Sequence, residues 1–331
     1  MNILIAGLKV QQENGIKEIS EATLLHVLVS GASGFVGRNF LASAPRDWNI
    51  VALYNQDDSF PAYLTSIGRP DIVSHKCDLT DDKAVGELSH KMGKSFDSCL
   101  FLAGNSSPAR SVEDPRYDWM TNVGSLLNVL NTFSVSRFLY VSSGAVYDGH
   151  HGPVSPGTAL APRLPYAISK LACEYYVQSY HKEGAIQEYL ILRFFGAYGP
   201  YEHSRKIYSR LVKAFHVNKE KGFTVYGDGE NLIDAMYVSD ATDTFTKALR
   251  TNTKNLTLDV CQGSGMTLNE LVSSAASIFG IKDVNINHVG DVAEYIEFTA
   301  SPEMAQQILG THSKVSLEDG LAKLARFLSR V

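Results

Sequence analysis

A serine, a tyrosine and a lysine carry the chemistry this sequence offers. Ser143 closes the apolar run Leu139-Tyr140-Val141-Ser142-Ser143, and Tyr166 and Lys170 stand at the head of a helical pattern through Cys173, Tyr176, Val177 and Tyr180. Residues four apart share a helix face, so the ammonium lies near the phenol, and a neighbouring positive charge favours the phenolate. A tyrosine so placed exchanges protons near neutral pH, with Ser143 across the cleft as its hydrogen-bond partner. Tyr-x-x-x-Lys alone is a weak signal. Its meaning depends on the elements that position it.

The strand Leu25-His26-Val27-Leu28-Val29-Ser30 leads into Gly31-Ala32-Ser33-Gly34-Phe35-Val36-Gly37, and the chain then turns helical through Asn39, Phe40 and Leu41. Strand, glycine-rich turn and helix in that order form a dinucleotide-binding fingerprint. Gly31 allows the tight turn, Gly34 the approach of a pyrophosphate, and Gly37 close packing of helix on strand. The helix N-terminus offers its N–H groups to the phosphates. Ser33, Phe35 and Val36 are assigned to the cofactor with these glycines.

Strand-like runs recur at 49–54, 71–76, 97–102, 137–142 and 189–195, with helical patterns at 81–92, 117–134 and 165–183. Alternation of this kind predicts right-handed crossovers and a parallel sheet. The expected fold is α/β, a Rossmann-type doubly wound parallel sheet with a smaller C-terminal α/β substrate lobe. We expect an N-terminal extension over 1–24, a dinucleotide-binding domain over 25–195 and a mainly substrate-binding lobe over 196–331. That lobe reads as helices at 205–217, 238–250, 267–279 and 317–327, with short strands at 223–226 and 235–238. Small and polar residues end several strands, and ligands bind outside the carboxyl ends of such a sheet.

The 331 residues are 44% hydrophobic with a net charge of −5 and no basic block, which excludes a nucleic-acid footprint. Cys77, Cys99, Cys173 and Cys261 are widely spaced and read as reduced core thiols. No apolar run reaches membrane-spanning length, and the N-terminus has no signal-peptide pattern. The expectation is a cytoplasmic protein with no nucleic-acid, membrane or metal partner.

Taken in order, these motifs resemble the extended short-chain dehydrogenase/reductase superfamily, within it the NAD(P)-dependent epimerase/dehydratase family acting on nucleotide sugars. The resemblance runs from Val27 to about Leu328. It rests on Gly31-x-x-Gly34-x-x-Gly37, Asp78-Leu79, Leu102-Ala103-Gly104 and Asn122-Val123-Gly124, the last one residue tighter than the family's usual form. It rests also on Ser142-Ser143-x-x-Val146-Tyr147, Tyr166-x-x-x-Lys170, Arg193-Phe194-Phe195-x-x-Tyr198-Gly199-Pro200 and Val225-Tyr226-Gly227-Asp228-Gly229. The resemblance implies that Tyr166 is the acid/base, that Lys170 bonds the nicotinamide ribose, and that Ser143 bonds the reacting oxygen. It places Asp78 and Leu79 by the adenine, Leu102, Ala103 and Gly104 beneath the cofactor, Asn122 in its support and Phe195 near the nicotinamide. Capping of a helix near Thr80 is the competing role for Asp78. Tyr147 and Tyr198 are read as packing. A homodimer through the helices at 117–134 and 165–183 is implied.

Three departures narrow the reading. NAD-preferring relatives carry an acid at the end of the second strand, but Tyr54 and Asn55 stand here, and Arg38 follows the third glycine within reach of a phosphate; NAD and NADP both stay open. The acid pair of 4,6-dehydratases is replaced by Gly144 and Ala145, which removes the machinery for water loss; no cysteine of the 3,5-epimerase type stands there either. The arginines that clamp a nucleotide diphosphate are absent before Asp234, which follows Ile233, and before Gly290-Asp291, where the chain reads Asn287-His288-Val289. Either Arg205, Lys206 or Arg210 supplies the charge from another direction, or the substrate is not a standard nucleotide diphosphate sugar; Tyr295 matches a family substrate contact. The substrate-binding set is therefore Ser143, Tyr166, Arg205 and Tyr295. The expected reaction is 4-epimerisation of a nucleotide-linked sugar through a 4-keto intermediate. The alternatives are NADPH-dependent 4-keto-reduction and a catalytically idle dinucleotide-binding regulatory subunit.

Overall fold

The computed structural model describes residues 24–291 and 295–330. The extension assigned to 1–24 lies, apart from Leu24, outside the described residues. Seven strands form the central sheet: β1 (His26–Ser30), β2 (Asn49–Tyr54), β3 (Val73–Lys76), β4 (Ser95–Phe101), β5 (Ser134–Ser143), β6 (Ile186–Phe194) and β7 (Leu256–Val260). Their order is β7-β6-β5-β4-β1-β2-β3, and every neighbouring pair is parallel. The expected Rossmann-type sheet is present. The strand order reverses between β1 and β4, and a crevice opens at such a switch point.

Parallel strands buried on both faces need apolar residues at successive positions. Val27 and Val29 accordingly point into one layer with Leu100, Leu139, Leu190 and Leu258. Leu28 points into the other with Cys99, Phe138 and Ile191. On the first face lie helices α1 (Phe35–Ser43) and α2 (Val238–Arg250), which contribute Phe40, Leu41, Phe245 and Leu249. The second face is covered by the helices at Asp82–Met92, Ser125–Thr132 and Pro165–Lys182, through Val85, Leu126, Val129, Cys173 and Val177. Side-chain capping of the Asp82–Met92 helix falls to Asp81, which accepts from the Ala84 N–H at 3.1 Å.

The stretch read as one helix over 117–134 is broken in the structure. A short helix at Pro115–Trp119 passes through a π turn at Met120–Gly124 into the Ser125–Thr132 helix. The run at 256–260, unassigned from sequence, is β7, paired with β6 through Leu258 opposite Leu192. The sheet layer thus takes α2 and β7 from beyond residue 196. Many of the remaining C-terminal residues build a separate core around Tyr208, Leu211, Phe215, Phe223, Leu271, Val272, Leu321 and Leu324, while Ala305 and Leu309 join the first sheet face. All four cysteines are buried and free. Among the described residues no helix is long and apolar enough to cross a membrane.

Candidate active site

Two cavities meet at the switch point, one of about 480 Å³ and one of about 460 Å³, sharing Gly31, Ala103 and Gly104 in their walls. Ser143, Tyr166, Lys170 and Phe195 line the larger with Gly34, Phe35, Val36, Gly37 and Leu102. Tyr54, Asn55, Gln56, Asp78, Leu79 and Thr80 line the smaller. The residues expected to do chemistry and those expected to hold a dinucleotide therefore share one crevice. Ser33 is not among the lining residues. It offers its carbonyl to Arg38 Nε at 3.0 Å.

The crevice fits an extended phosphate-bridged ligand. Gly31 has φ +64°, and a Cβ there would lie 2.7 Å from the Ala103 nitrogen. A Cβ on Gly37 would lie 2.5 Å from the Gly31 carbonyl oxygen, so the turn can pass tightly under α1 only with hydrogen at both positions. No side chain caps the N-terminus of α1 and no acid stands in its first turn. Its N–H groups and positive dipole end are left for an anion. Ser30 Oγ accepts from the backbone N–H groups of Leu102 and Ala103, each at 3.1 Å, which fixes the turn after β4 beside the turn after β1.

Pro165 sits in the first turn of its helix, where no N–H is needed, and the Tyr166 N–H donates to Ser111 Oγ at 3.1 Å. Lys170 Nζ donates to the Val141 carbonyl at 3.3 Å and lies 5.9 Å from the centre of the Tyr166 ring. Burial pulls the Lys170 ammonium below the usual lysine value, against the negative groups of Asp118 and Glu174 nearby. Ser143 Oγ accepts from the Ala145 N–H at 3.1 Å. Its own proton stays available for a ligand oxygen.

Behind these groups lie two buried networks. Asn122 in the π turn accepts from the Asn105 N–H at 2.8 Å and donates to Ser169 Oγ at 2.8 Å and to Asp118 at 3.0 Å. It supports the crevice from beneath without lining it. Asp118 accepts further from the Asn105 amide at 2.7 Å and from Ser169 at 2.6 Å. In the second network Arg193 grips Glu174, whose Oε1 also accepts from Ser142 at 2.6 Å. Tyr147 donates to Asp259 at 2.8 Å and accepts from Arg193 at 2.9 Å. Burial pushes the Asp259 carboxyl up to about 6. Tyr198 stacks on Tyr208 with ring centres 4.0 Å apart.

Asp78 lines the adenosine-side cavity and also accepts from the Thr80 N–H at 2.9 Å. The helix-capping role weighed for it falls to Asp81 instead. On the sugar side the larger cavity is bounded by Glu202, His203, Lys206, Ile296 and Phe298. Arg205 is exposed and outside this lining, as is Tyr295, whose hydroxyl donates to Asp228 at 3.0 Å. Of Arg205, Lys206 and Arg210, Lys206 is the one that lines this cavity. Burial pushes the Glu202 carboxyl up to about 7, although Ser209 donates to it from both N–H and hydroxyl. Gly144 faces the Phe195 ring so closely that a Cβ would lie 2.9 Å from it, and an acidic side chain has no room there.

Sequence reasoning left out Asp118 and Glu202. Asp118 sits four residues before Asn122, the one local signal that would have found it.

A Rossmann-type sheet with a phosphate-binding glycine turn and a Ser-Tyr-Lys set in the same crevice defines an NAD(P)-dependent oxidoreductase or epimerase of the extended short-chain dehydrogenase/reductase type. Residues 27–261 match the NAD dependent epimerase/dehydratase family. The chain belongs to that family. Among its relatives, the low-salt glycan biosynthesis protein Agl12 of Haloferax volcanii is 28% identical, over 90% of this chain and 96% of that protein. The UDP-glucose 4-epimerase of Mycolicibacterium smegmatis is 26% identical, over 92% of this chain and 98% of its own length. Among solved structures, Thermotoga maritima UDP-glucose 4-epimerase with UDP-glucose superposes with a TM-score of 0.82 at 22% identity, covering 92% of this chain and 99% of that one. The Bacillus cereus UDP-glucuronic acid 4-epimerase with UDP-glucuronic acid and NAD gives 0.81 at 22% identity and the same coverage. These two likenesses establish the fold.

Proposed function

We propose that this chain is a nucleotide-sugar 4-epimerase working through a 4-keto sugar, with the dinucleotide held mainly by residues 25–195 and the sugar mainly by 196–331. The observation that carries the reading is the convergence of Ser143, Tyr166 and Lys170 on one cavity whose wall at Gly144 and Ala145 holds no acid. Nicotinamide chemistry would supply hydride removal from the sugar carbon and its return. Tyr166 accepts the sugar hydroxyl proton on oxidation and returns it on reduction, and Ser143 donates to the same oxygen. Lys170 orients the ribose and stabilises negative charge on the phenol oxygen. The acid pair that 4,6-dehydratases carry is missing at 144 and 145, which disfavours 4,6-dehydration.

The relatives named above support a sugar on a nucleoside diphosphate. With isoleucine at 233 and histidine at 288, the diphosphate charge falls to Lys206 and His203 on the cavity wall. Exposed Trp119, Met120, Ile168, Tyr175 and Tyr176 on the two helical segments at 115–132 and 165–182 support a homodimer. Four free, buried thiols suit a reducing cytoplasm.

The test is proton NMR of UDP-glucose incubated with the protein, without added reductant. Appearance of the C4 epimer, absent with Tyr166→Phe, supports the reading. Stoichiometric consumption of NADPH on a 4-keto sugar without epimerisation would move it to a reductase. Normal dinucleotide binding with no turnover of any nucleotide sugar would leave the idle regulatory subunit.

A further inference from the structure

The smaller cavity runs along the end of β2, past Tyr54, Asn55 and Gln56. In sheets of this order a carboxylate near the end of the second strand accepts from the adenosine 2′-hydroxyl, or an arginine nearby accommodates a 2′-phosphate. Here β2 ends on Tyr54, and the arginine at hand is Arg38, one residue past the last glycine of the turn.

That guanidinium is already committed. Its Nε donates to the Ser33 carbonyl at 3.0 Å, and its Nη2 pairs with the Asp57 carboxylate in the loop after β2. The Tyr63 ring lies 4.2 Å from its central carbon and the Tyr201 ring 5.3 Å. Arg38 is only 9% exposed. Asp57 is fixed in turn, accepting from the Ser59 hydroxyl at 2.6 Å and the Ser59 N–H at 3.1 Å. The next residue, Asp58, pairs with Lys76 at 2.6 Å. Arg38 and Lys76 are therefore each matched by adjacent acids of one loop. No Lys, Arg or His lines the adenosine-side cavity, where Asn55 and Gln56 offer neutral hydrogen-bonding groups instead.

We propose that Asp57 makes this protein select NAD over NADP, by holding Arg38 in an ion pair and so withholding it from a 2′-phosphate. The usual carboxylate contact to the ribose is missing, and discrimination comes from the absence of a free cation. Asn55 and Gln56 can bond ribose hydroxyls but cannot neutralise a dianion. The inference rests on the dinucleotide reading of the glycine turn.

The experiment is calorimetric titration of the dinucleotide-stripped protein with NAD⁺ and with NADP⁺, repeated on Asp57→Ala and Asp57→Asn. The asparagine variant keeps an acceptor for Ser59 and removes only the charge, so it reports even if the alanine variant loosens the loop. Wild-type protein should bind NAD⁺ at least about tenfold tighter, and both variants should shrink that ratio about tenfold by gaining affinity for NADP⁺. Adenosine 2′,5′-bisphosphate should follow the same gain as a probe of the phosphate site alone. Equal or tighter binding of NADP⁺ by wild type, or an unchanged ratio in both variants, would overturn the proposal. Binding of neither dinucleotide by wild type would overturn the glycine-turn reading and this proposal with it, and is distinguishable from equal binding of both.

Discussion

The Ser169 hydroxyl donates to Asp118 at 2.6 Å, and through that bond the residue next to Lys170 is tied to the turn beneath the crevice. Asp118 also holds the side-chain amides of Asn105 and Asn122. One buried carboxylate thus fixes the register between the Pro165–Lys182 helix, the π turn and the loop after β4. Asp118→Ala leaves these donors without their charged acceptor, so we expect a stability loss of about 3 kcal/mol. Urea denaturation measures it. Dinucleotide affinity should fall with it, because Gly104 and Asn105 lose their anchor, and Asp118→Asn should fall between the two.

Tyr166→Phe removes only the oxygen proposed to exchange protons. Turnover should drop by about 10²- to 10⁴-fold, the usual worth of a positioned acid/base. Titration should show dinucleotide affinity within about twofold of wild type, far less than the tenfold that 1.4 kcal/mol would bring. A parallel collapse of binding would instead assign Tyr166 to the fold.

Glu202 gives a pH dependence of stability whose sign is fixed by its environment. Its carboxyl is pushed by burial from the ordinary 4.5 to about 7. Across that window the folded protein holds more protons than the unfolded chain, so this group's contribution to stability declines as pH rises from about 4.5 to about 7. Glu202→Gln cannot ionise and still accepts from Ser209. The variant's melting temperature relative to wild type should therefore be higher at pH 8 than at pH 5. Differential scanning calorimetry at the two values decides it, and an equal offset at both would place the ionisation elsewhere.

Gly37→Ala puts a methyl 2.5 Å from the Gly31 carbonyl oxygen and 2.6 Å from that of Ala32. Backbone has to move, and with it the N–H groups at the start of α1. Dinucleotide affinity should fall more than about tenfold in a protein whose far-ultraviolet circular dichroism is unchanged. Retained affinity would show that the turn does not hold the phosphates.

Local pattern was enough for β1, the glycine turn and the Tyr166–Lys170 face, because each is set by residues within one turn of chain. Periodicity spoke less clearly over 117–134. The apolar spacing there continues through Met120–Gly124, while the backbone inserts a π turn that aims Asn122 inward. The strand Leu256–Val260 was invisible for a different reason. It is short, with a polar residue at every second position, and its place at the sheet edge is decided by pairing with β6.

The types and order of the residues thus determined six of the seven sheet strands, the glycine turn and the reactive set, since those depend on short-range backbone preference and side-chain period. Tertiary structure alone decided which ionisable groups are spent and which face the crevice. Arg38 is consumed by Asp57 across 19 residues of chain, and Asp118 serves Ser169 across 51. Lys206 reaches the wall while Arg205 does not. Charge neutralisation and burial are properties of neighbours in space, and a sequence read along its length does not contain them.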